Sequence, residues 1–239
     1  MNNVVLFSGG LDSMATILCL QHNEEQVSAI YVDLGTEYAN REIEVCRRLA
    51  DVMGFDLHVI ELRSLGALAG SADSGAFLPY RNCVLATVAA AHLDTDGSVW
   101  MGGLRDDNVG DKTPEAFESM TAMLKECGPN NITVRSMFWN YSKDEMVREM
   151  IVDFRDKFLD LCKVSISCYR GTRCGECPSC FRKCVALYSN GVDCINWFKT
   201  NPLESETAKQ YSTKILDQKY DESRRVATLT ALKQGGAHV

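Results

Sequence analysis

The stretch LFSGGLDS, residues 6–13, follows an apolar run near the start of the chain and combines two glycines with two serines and an aspartate. The apolar run predicts a buried strand, and the residues from Ser13 onward have the pattern of a helix. Glycine lets the backbone adopt positive φ and lets its N–H groups approach a ligand closely. Successive N–H groups at the start of a helix bind anions. The stretch therefore predicts a phosphate-binding loop between a strand and a helix.

Two other nucleotide-binding loops do not fit residues 6–13. No Gly-Lys-Ser or Gly-Lys-Thr follows at the spacing of a Walker A loop, and the glycines are not spaced as in the dinucleotide fingerprint. Asp12 does not itself favour a phosphate, but it can hold the Mg²⁺ that accompanies one. A turn that uses glycine only for its shape is the alternative for an isolated Gly-Gly pair, and the polar residues around this pair argue for a ligand.

Further apolar runs alternate with helical patterns along the chain. We predict strands over residues 4–7, 29–32, 57–60, 98–101 and 132–138, and helices over residues 13–21, 40–53, 81–93, 114–126 and 142–160. This alternation is typical of a Rossmann-like α/β fold, with a five-stranded parallel sheet and helices on both faces. Ligands of such sheets bind at the carboxyl ends of the strands. The loops after Phe7, Val32 and Met101, which include Asp33 and Gly102, are therefore expected to line one site.

Composition favours a small-molecule partner over nucleic acid. The 239 residues carry a net charge of −7, from 25 basic and 32 acidic side chains, whereas a nucleic-acid-binding surface has a basic excess. The first residues lack the basic segment of a signal peptide. The longest apolar run, residues 83–93, is shorter than the roughly 20 residues that span a bilayer. We therefore expect a cytoplasmic protein with no membrane segment.

Four of the 11 cysteines lie close together, at Cys168, Cys174, Cys177 and Cys180. In a reducing compartment, clustered cysteines are metal ligands more often than disulfides. Tetrahedral zinc with four thiolate ligands tolerates this spacing, so we predict a structural zinc ion. Cys184 is either an alternative ligand or a buried neighbour of the site. The other, scattered cysteines are expected to be small core residues.

The loop resembles the signature Ser-Gly-Gly-x-Asp-Ser of the PP-loop ATP pyrophosphatases, which have the adenine nucleotide alpha hydrolase-like fold. The resemblance implies that the loop holds the pyrophosphate part of ATP, and that ATP is split between its α and β phosphates. The ATP-binding residues it implies in the loop are Leu6, Phe7, Ser8, Gly9, Gly10, Leu11, Asp12 and Ser13.

The segment SCYRGTRCGECPSC, residues 167–180, resembles the zinc segment of QueC, the 7-cyano-7-deazaguanine synthase family. The stretches FLPYRN (77–82), GDKTPEAF (110–117) and YSKDE (141–145) are similar to further family motifs, so the resemblance covers residues 3–187. It implies further ATP contacts from Asp33, Arg81, Gly102 and Lys143, and substrate contacts from Arg81, Asn82 and Asp111. Asp12 and Lys143 are the implied catalytic residues.

The QueC resemblance implies an ATP-dependent ligase that converts 7-carboxy-7-deazaguanine and ammonia to 7-cyano-7-deazaguanine through adenylated intermediates. It also implies a homodimer that uses Mg²⁺ with ATP. The chain departs from the family pattern at Tyr80, where the family has glycine, and at Thr113, where it has arginine. These changes make the chain a divergent member and leave a second reading open, in which the enzyme stops at the amide or adenylates another carboxylate.

Two further readings remain open from the sequence. The first is a PP-loop enzyme that modifies tRNA, although the acidic chain has no basic extension for RNA. The second is a non-catalytic, zinc-bearing module that only binds ATP.

We divide the chain into an ATP-binding α/β domain (1–160), a zinc-binding segment (161–190) and a helical extension (191–239). Two helices are expected in the extension, one starting at Asn201 and Pro202, and one with Val226, Leu229 and Leu232 on one apolar face.

Overall fold

Five parallel strands form one sheet in the computed structural model, which describes residues 2–68, 78–107, 109–216 and 220–235. The strand order is β3-β2-β1-β4-β5, and each neighbouring pair is parallel. The strands are β1 (Asn2–Leu6), β2 (Val27–Asp33), β3 (Asp56–Glu61), β4 (Gly97–Trp100) and β5 (Ile132–Arg135). The predicted parallel five-stranded sheet is therefore confirmed.

The central strands are the most apolar ones, as expected for strands covered on both faces. Val4 and Val5 of β1 are fully buried, and all four residues of β4 are buried. Val4 pairs with Ser28 of β2 on one side and with Val99 of β4 on the other. The strand predicted over residues 132–138 ends earlier, at Arg135.

Four helices connect the strands: α1 (Leu11–His22), α2 (Ala39–Met53), α3 (Arg81–Ala91) and α4 (Pro114–Cys127). The chain moves outward from β1 through β2 to β3, and then returns to β4 and moves outward to β5 on the other side. Crossovers between parallel strands are right-handed in nearly all proteins. The reversal therefore places α1 and α2 on one face of the sheet and α3 and α4 on the other.

The strand order also fixes where the connections reverse direction, between β1 and β4. At such a point the two loops that follow the adjacent strands diverge to opposite faces of the sheet and leave a crevice between them. The loop after β1 is the glycine-rich stretch, and the loop after β4 contains Gly102 and Gly103. The topology thus places the predicted phosphate loop at the position where α/β sheets bind their ligands.

The chain divides into two compact units, and the sheet belongs to the first. The first unit contains the described residues up to Gly103 and those of Asp107–Met137, and the second contains Leu104–Asp106 and the described residues from Phe138 onward. By this division α5 (Lys143–Val164) groups with the cysteine segment, whereas the sequence suggested a boundary at residue 160. The three predicted segments remain a prediction about domains.

The second unit is helical, with α5 followed by α6 (Pro178–Tyr188), α7 (Glu206–Leu216) and α8 (Glu222–Gln234). Helix α5 starts with a capping box, in which Ser142 and Glu145 satisfy each other's backbone N–H groups. The helix expected at Asn201 is only a short 3₁₀ turn, Pro202–Glu204, whose cap is the Asn201 side chain. Within the described ranges, no helix is both long enough and apolar enough to cross a membrane.

The three apolar residues predicted on one face of α8 differ in burial. Val226 is 57% exposed, while Leu232 is buried. Arg224 and Thr228 occupy buried positions instead. The Arg224 guanidinium lies 4.3 Å from the ring centre of Tyr220 and donates a hydrogen bond to the Asp106 carbonyl. Stacking on an aromatic ring and a hydrogen bond compensate for burying a cation, so a charged residue lies at a buried position of this helix.

Candidate functional site

The glycine-rich loop connects the end of β1 to the first turn of α1. The Phe7 N–H continues the sheet by donating to the Ile30 carbonyl at 2.8 Å, and Phe7 and Leu11 are buried on either side of the loop. Gly10 is the N-cap residue of α1 and has an extended backbone. A glycine cap has no side chain to accept from the first N–H groups of the helix, and those groups carry the positive end of the helix dipole. The loop therefore presents backbone donors suited to an anion.

Gly9 has a backbone conformation and surroundings that exclude a side chain. Its φ is +70°, and a Cβ atom would lie 3.2 Å from both Cys46 Sγ and Val45 Cγ1 of α2. The Cys46 thiol also donates a hydrogen bond to the Phe7 carbonyl oxygen, at 3.6 Å. The loop thus rests directly on α2, which holds the N–H groups of the cradle in position.

The loop after β4 meets the phosphate loop at Asp12. A Cβ atom on Gly102 would lie 3.3 Å from Asp12 Cβ and 3.8 Å from Asp12 Oδ2. The glycine therefore allows the two loops to approach each other at the crevice between β1 and β4, as expected from the sheet topology. The carboxylate of Asp12, in the first turn of α1, lies at this junction, and carboxylate oxygens are ligands that Mg²⁺ prefers.

Asp33, at the end of β2, is already bound by protein groups. Its carboxylate accepts from Arg63 Nε at 2.8 Å and from the Gly35 N–H at 2.8 Å. The side chain is almost fully buried. These contacts explain why an acidic residue ends this strand, because a buried carboxylate needs partners. Its predicted contact with ATP remains a prediction.

Asn82 and Asp111, which the sequence assigned to the substrate, lie in contact with each other. Asp111 Oδ1 accepts from Asn82 Nδ2 at 2.9 Å, and Asp111 Oδ2 accepts from the Asn82 N–H at 3.2 Å. The aspartate thus caps the start of α3 next to Arg81. Tyr80, the residue before the helix, has a φ of +59° and is 77% exposed.

A groove opens beside this contact in the first unit. It has a volume of about 570 Å³. Asp111 supplies a carboxylate to its wall, and Tyr80, Met120 and Met123 supply apolar surface. Thr113, where the family pattern has arginine, is the N-cap of α4 and accepts from the Ala116 N–H at 3.1 Å. This position therefore stabilises the helix and provides no cation.

Glu42 and Tyr31 form a polar pair that sequence reasoning did not identify. The Tyr31 hydroxyl donates to Glu42 Oε2 at 2.9 Å. Burial raises the pKa of Glu42 to about 7, although the Tyr31 hydrogen bond and the positive charge of Arg81 act to lower it. Glu42 lies one helical turn before Cys46 on α2, and no sequence pattern distinguishes it from the other acidic residues of this helix.

The four clustered cysteines of the second unit are all buried, and their sulfur atoms lie within 4.8 Å of one another. Cys168 Sγ is 3.6 Å from Cys174 Sγ, and Cys174 Sγ is 4.0 Å from Cys180 Sγ. A tetrahedral zinc ion with Zn–S bonds of about 2.3 Å separates its sulfur ligands by about 3.8 Å. An iron–sulfur cluster spreads its thiolates more widely, because they bind different irons. The arrangement fits a single metal ion.

Backbone groups around the cluster favour the thiolate forms. The Cys174 N–H donates to Cys168 Sγ at 3.4 Å, and the Glu176 N–H donates to Cys174 Sγ at 3.4 Å. Side-chain hydrogen bonds from Cys177 and Cys180 lower the pKa of Cys168, and the same hydrogen bonds with Cys168 raise the pKa of Cys177 and of Cys180. Such donors stabilise negative charge on sulfur and orient metal ligands.

Gly175 brings a distant segment against the cluster. Its φ is +82°, and a Cβ atom there would lie 2.0 Å from the Thr200 carbonyl oxygen. The Thr200 hydroxyl in turn donates to the Cys174 carbonyl at 2.8 Å. The loop between the second and third cysteine is therefore supported by backbone from the segment before α7.

The cysteines outside the cluster differ in burial: four are buried, Cys19 and Cys83 are partly buried, and Cys127 is exposed. Cys184 is buried outside the cluster, with its sulfur 3.7 Å from that of Cys194, so of its two predicted roles the structure favours the buried neighbour. Cys127, however, is exposed at the end of α4, so the expectation of a core position is wrong there. The helix ends at this residue, which leaves its side chain outside the packed face.

Lys143, the second predicted catalytic residue, belongs to the second unit, where it is the first residue of α5. It lines a small cavity with Asp106, Arg182 and Arg224. The buried carboxylate of Asp106 accepts from Arg182 at 3.1 Å. Asp106 was missed from the sequence because a buried aspartate in a loop has no periodic signature. Asp12 and Lys143 thus lie in different units, and their joint role in catalysis remains a prediction.

Comparison with known proteins identifies relatives over most of the chain. The family described as "Queuosine biosynthesis protein QueC" matches residues 2–76 and 73–191. A 7-cyano-7-deazaguanine synthase of Chlorobaculum parvum is 26% identical over 88% of this chain and 99% of its own length. The corresponding protein of Methanobrevibacter smithii is 24% identical over 75% of this chain and 90% of its own length.

One solved structure shares the fold at low sequence identity. It is described as a "predicted subunit of tRNA methyltransferase from Methanocaldococcus jannaschii", and it is 20% identical, covering 64% of this chain and 74% of that chain with a TM-score of 0.50. At this identity the likeness concerns the fold alone. The family match covers the sheet, the phosphate loop and the cysteine cluster, and on that match the chain belongs to the QueC family.

Proposed function

We propose that the chain is an ATP-dependent enzyme that activates 7-carboxy-7-deazaguanine and, with ammonia, converts its carboxylate to a nitrile. The observation that carries this proposal is the uncapped start of α1 at Gly10, with Asp12 at the junction of the loops after β1 and β4. Membership in the QueC family and the names of the relatives support the choice of acceptor.

The chemistry explains why the site needs a phosphate cradle. A carboxylate resists amines because its oxygen is a poor leaving group, so ATP first converts it to an acyl adenylate and releases pyrophosphate. Ammonia then gives the amide with loss of AMP. A second adenylation, on the amide oxygen, lets AMP leave again as the nitrile forms. Each activation leaves negative charge on pyrophosphate, and positioned donors stabilise developing charge of this kind.

The residues take the following roles in this proposal. The backbone N–H groups from Gly9 to Ser13 hold the pyrophosphate part of ATP. Asp12 would hold the Mg²⁺ that screens the phosphates, and Lys143 would supply a cation to the reacting phosphate. Asn82 and Asp111 would contact the deazapurine at the groove they adjoin.

The cysteine cluster is proposed to hold a structural zinc ion, because four buried thiolates complete the tetrahedron and leave no position for a substrate. Metal analysis of the purified protein should then find one zinc per chain. A stoichiometric amount of iron, with the visible absorption of an iron–sulfur cluster, would contradict the zinc assignment.

We also propose that the chain forms a homodimer. A monomeric mass in light scattering would contradict this proposal.

Product analysis by mass spectrometry tests the proposed reaction. The protein is incubated with ATP, Mg²⁺, ammonium and 7-carboxy-7-deazaguanine, and the nitrile should appear together with AMP and pyrophosphate. Asp12→Asn should reduce both products, whereas Asp51→Asn, at an exposed carboxylate of α2, should not. Bound ATP without any AMP would indicate a binding module, and AMP only with tRNA as acceptor would indicate tRNA modification.

Thr113 supports a second candidate function, in which the enzyme stops at the amide product. The family pattern has arginine there, and this chain has a helix cap whose hydroxyl is already bound to the Ala116 N–H. A site that lacks this cation has less stabilisation for the second adenylation. In the same assay, amide without nitrile would favour this candidate over the full reaction.

A further inference from the structure

The groove beside Asn82 and Asp111 lies at the edge of the sheet where α/β proteins bind their ligands. Its walls come from α3, from α4 and from the loop between β4 and α4. Both helices connect parallel strands and therefore begin at the carboxyl edge of the sheet. The same loop approaches the phosphate loop where Gly102 meets Asp12. The volume of the groove, about 570 Å³, is within the range of small-molecule sites.

The lining of the groove is largely apolar. Tyr80, Val109 and Met123 are 77%, 40% and 39% exposed, although each side chain is large and mainly apolar. Met120 lies beside them in the wall. Exposed apolar side chains that gather at one place mark a binding surface, and rings and thioethers pack favourably on aromatic ligands. Among the described residues that line the groove, Asp111 alone carries a charge.

The carboxylate of Asp111 has room for further hydrogen bonds. The Asn82 backbone N–H and side-chain amide each donate to one of its oxygens, whereas a carboxylate offers about four acceptor positions. The pyrimidine ring of a 7-deazaguanine carries N–H donors on the edge that points away from its 7-carboxylate. With this edge at Asp111, the two carboxylates stay apart and the flat faces of the ring lie against the apolar walls.

Tyr80 has a backbone conformation that is costly for a residue with a side chain. Its φ is +59° and its ψ is +17°, in the left-handed region, where the Cβ atom is crowded by the backbone. The ring contributes little to the core because it is exposed, and it lines the groove instead. Strained residues are common at ligand sites. The strain and the exposure together indicate a role in binding.

We infer that Tyr80 stacks on the deazapurine ring and, with Asp111 at the N–H edge of that ring, determines specificity for this acceptor. The inference rests on the proposed function. Stacking of a base on an aromatic side chain strengthens binding of the ring and does not involve the phosphates. Loss of the Tyr80 ring should therefore weaken binding of the deazapurine and leave binding of ATP unchanged.

Two substitutions of Tyr80 separate stacking from simple apolar contact. Tyr80→Phe keeps the ring and should leave the KM for 7-carboxy-7-deazaguanine within about twofold of the parent value. Tyr80→Leu keeps an apolar side chain without a flat face and should raise that KM about tenfold. Its kcat and its KM for ATP should stay within about twofold of the parent values. An unchanged KM for Tyr80→Leu, or an equal rise for Tyr80→Phe, would overturn the inference.

Tyr80→Gly tests the inference without backbone strain. Glycine adopts positive φ readily, so this variant should fold with an undiminished melting temperature even if Tyr80→Leu does not fold. Its KM for the deazapurine should rise about tenfold or more. An equal rise in the KM for ATP would indicate that Tyr80 only shapes the fold, and it would overturn the inference.

Cys83 provides a measurement of occupancy that does not depend on turnover. Its thiol is half-buried and lines the groove, whereas Cys127 is exposed at the end of α4. The deazapurine, at ten times its dissociation constant, should slow alkylation of Cys83 by N-ethylmaleimide about tenfold. Alkylation of Cys127 should keep its rate. Equal rates of Cys83 alkylation with and without bound deazapurine would overturn the inference.

The parent protein separates this inference from the proposed function. If it neither binds the deazapurine in calorimetry nor converts it, the proposed function has failed, and the role of Tyr80 falls with it. If it converts the deazapurine and Tyr80→Leu does so with an unchanged KM, the function stands and only the inference is overturned. A fall from dimeric to monomeric mass in that variant would then assign the groove to a second copy of the chain.

Discussion

The phosphate loop and the cysteine segment both fold around a ligand, but they are built from different parts of the chain. The loop uses backbone: two glycines and the N–H groups of α1, held by β1 and by contact with α2. The cysteine segment uses side chains, four sulfur atoms from the stretch after α5 and from the first turn of α6. The loop is supported by the sheet when its ligand is absent, whereas we expect the cysteine segment to depend on its proposed metal in addition to contacts such as that of Thr200 with Cys174.

Metal removal should therefore produce the largest effect. Replacing the buried Cys177 by alanine removes one of the four proposed zinc ligands, and a structural zinc ion supplies folding free energy directly. We expect the melting temperature to fall by more than about 10 °C and the bound zinc to be lost. Cys127→Ser, at an exposed cysteine, is the control and should change neither. If Cys177→Ala lost its metal but kept the melting temperature of the parent protein, the cysteine segment would not depend on its metal for stability.

Gly9→Ala tests the backbone side of the comparison. The substitution places a Cβ atom 3.2 Å from two side-chain atoms of α2, at a φ of +70°. We expect ATP affinity to fall about tenfold or more, because the cradle must shift, with a stability loss of about 1–2 kcal/mol. ATP binding is measured by calorimetry and stability by urea unfolding.

Gly54→Ala is the matched control for this substitution. Gly54 has nearly the same φ, +72°, but no atom within 4 Å of its Cβ position. It should show the stability loss without the loss of ATP affinity. Similar ATP affinities for the two variants would mean that the position of the loop does not depend on its contact with α2.

Lys183 shows how side chains support the cysteine segment. Its buried ammonium group donates to the carbonyls of Cys162 and Ser165 and to the Ser165 hydroxyl, at 2.7–2.9 Å. Lys183→Met removes the ammonium from these acceptors and leaves the Cys162 carbonyl with the Ser165 hydroxyl as its donor, so we expect a loss of about 1–3 kcal/mol in the free energy of unfolding in urea. Lys163→Met removes an exposed lysine of α5 and should change stability little. Equal losses would show that burial of the ammonium is not what matters.

The ion pair between Arg170 and Glu176 should have the smallest effect. Both side chains are more than half exposed, and exposed ion pairs contribute little because water screens them. Glu176→Gln should leave the melting temperature within about 2 °C of the parent value. A larger shift would mean that surface charge, and not the metal with its buried contacts, stabilises this segment.

Apolar runs were sufficient to predict the sheet, because the central strands consist largely of apolar residues that are buried in it. The runs around Val5, Ile30 and Val99 became the three central strands. The glycine-rich loop and the cysteine cluster were also visible, since close approach to a ligand and metal binding each require particular residue types at fixed spacing.

Polar residues that find partners far along the chain were not predictable in this way. Arg224 is buried because it stacks on Tyr220 and binds the Asp106 carbonyl, and neither contact follows from a helical period. Glu42 is held by Tyr31 in the same manner. Such residues follow from tertiary contacts, which a single sequence with no structure does not reveal.

The contact between Gly175 and Thr200 has a consequence for the order of assembly. Thr200 follows Cys174 by 26 residues, so all four sulfur ligands leave the ribosome before the backbone that supports their loop. A metal ion can therefore enter while the loop is still loose. We expect the contact between Thr200 and Gly175, once formed, to slow release of a bound ion, because it supports the loop that carries two of the ligands. The segment after the cysteines would then affect the rate of metal exchange in addition to the affinity.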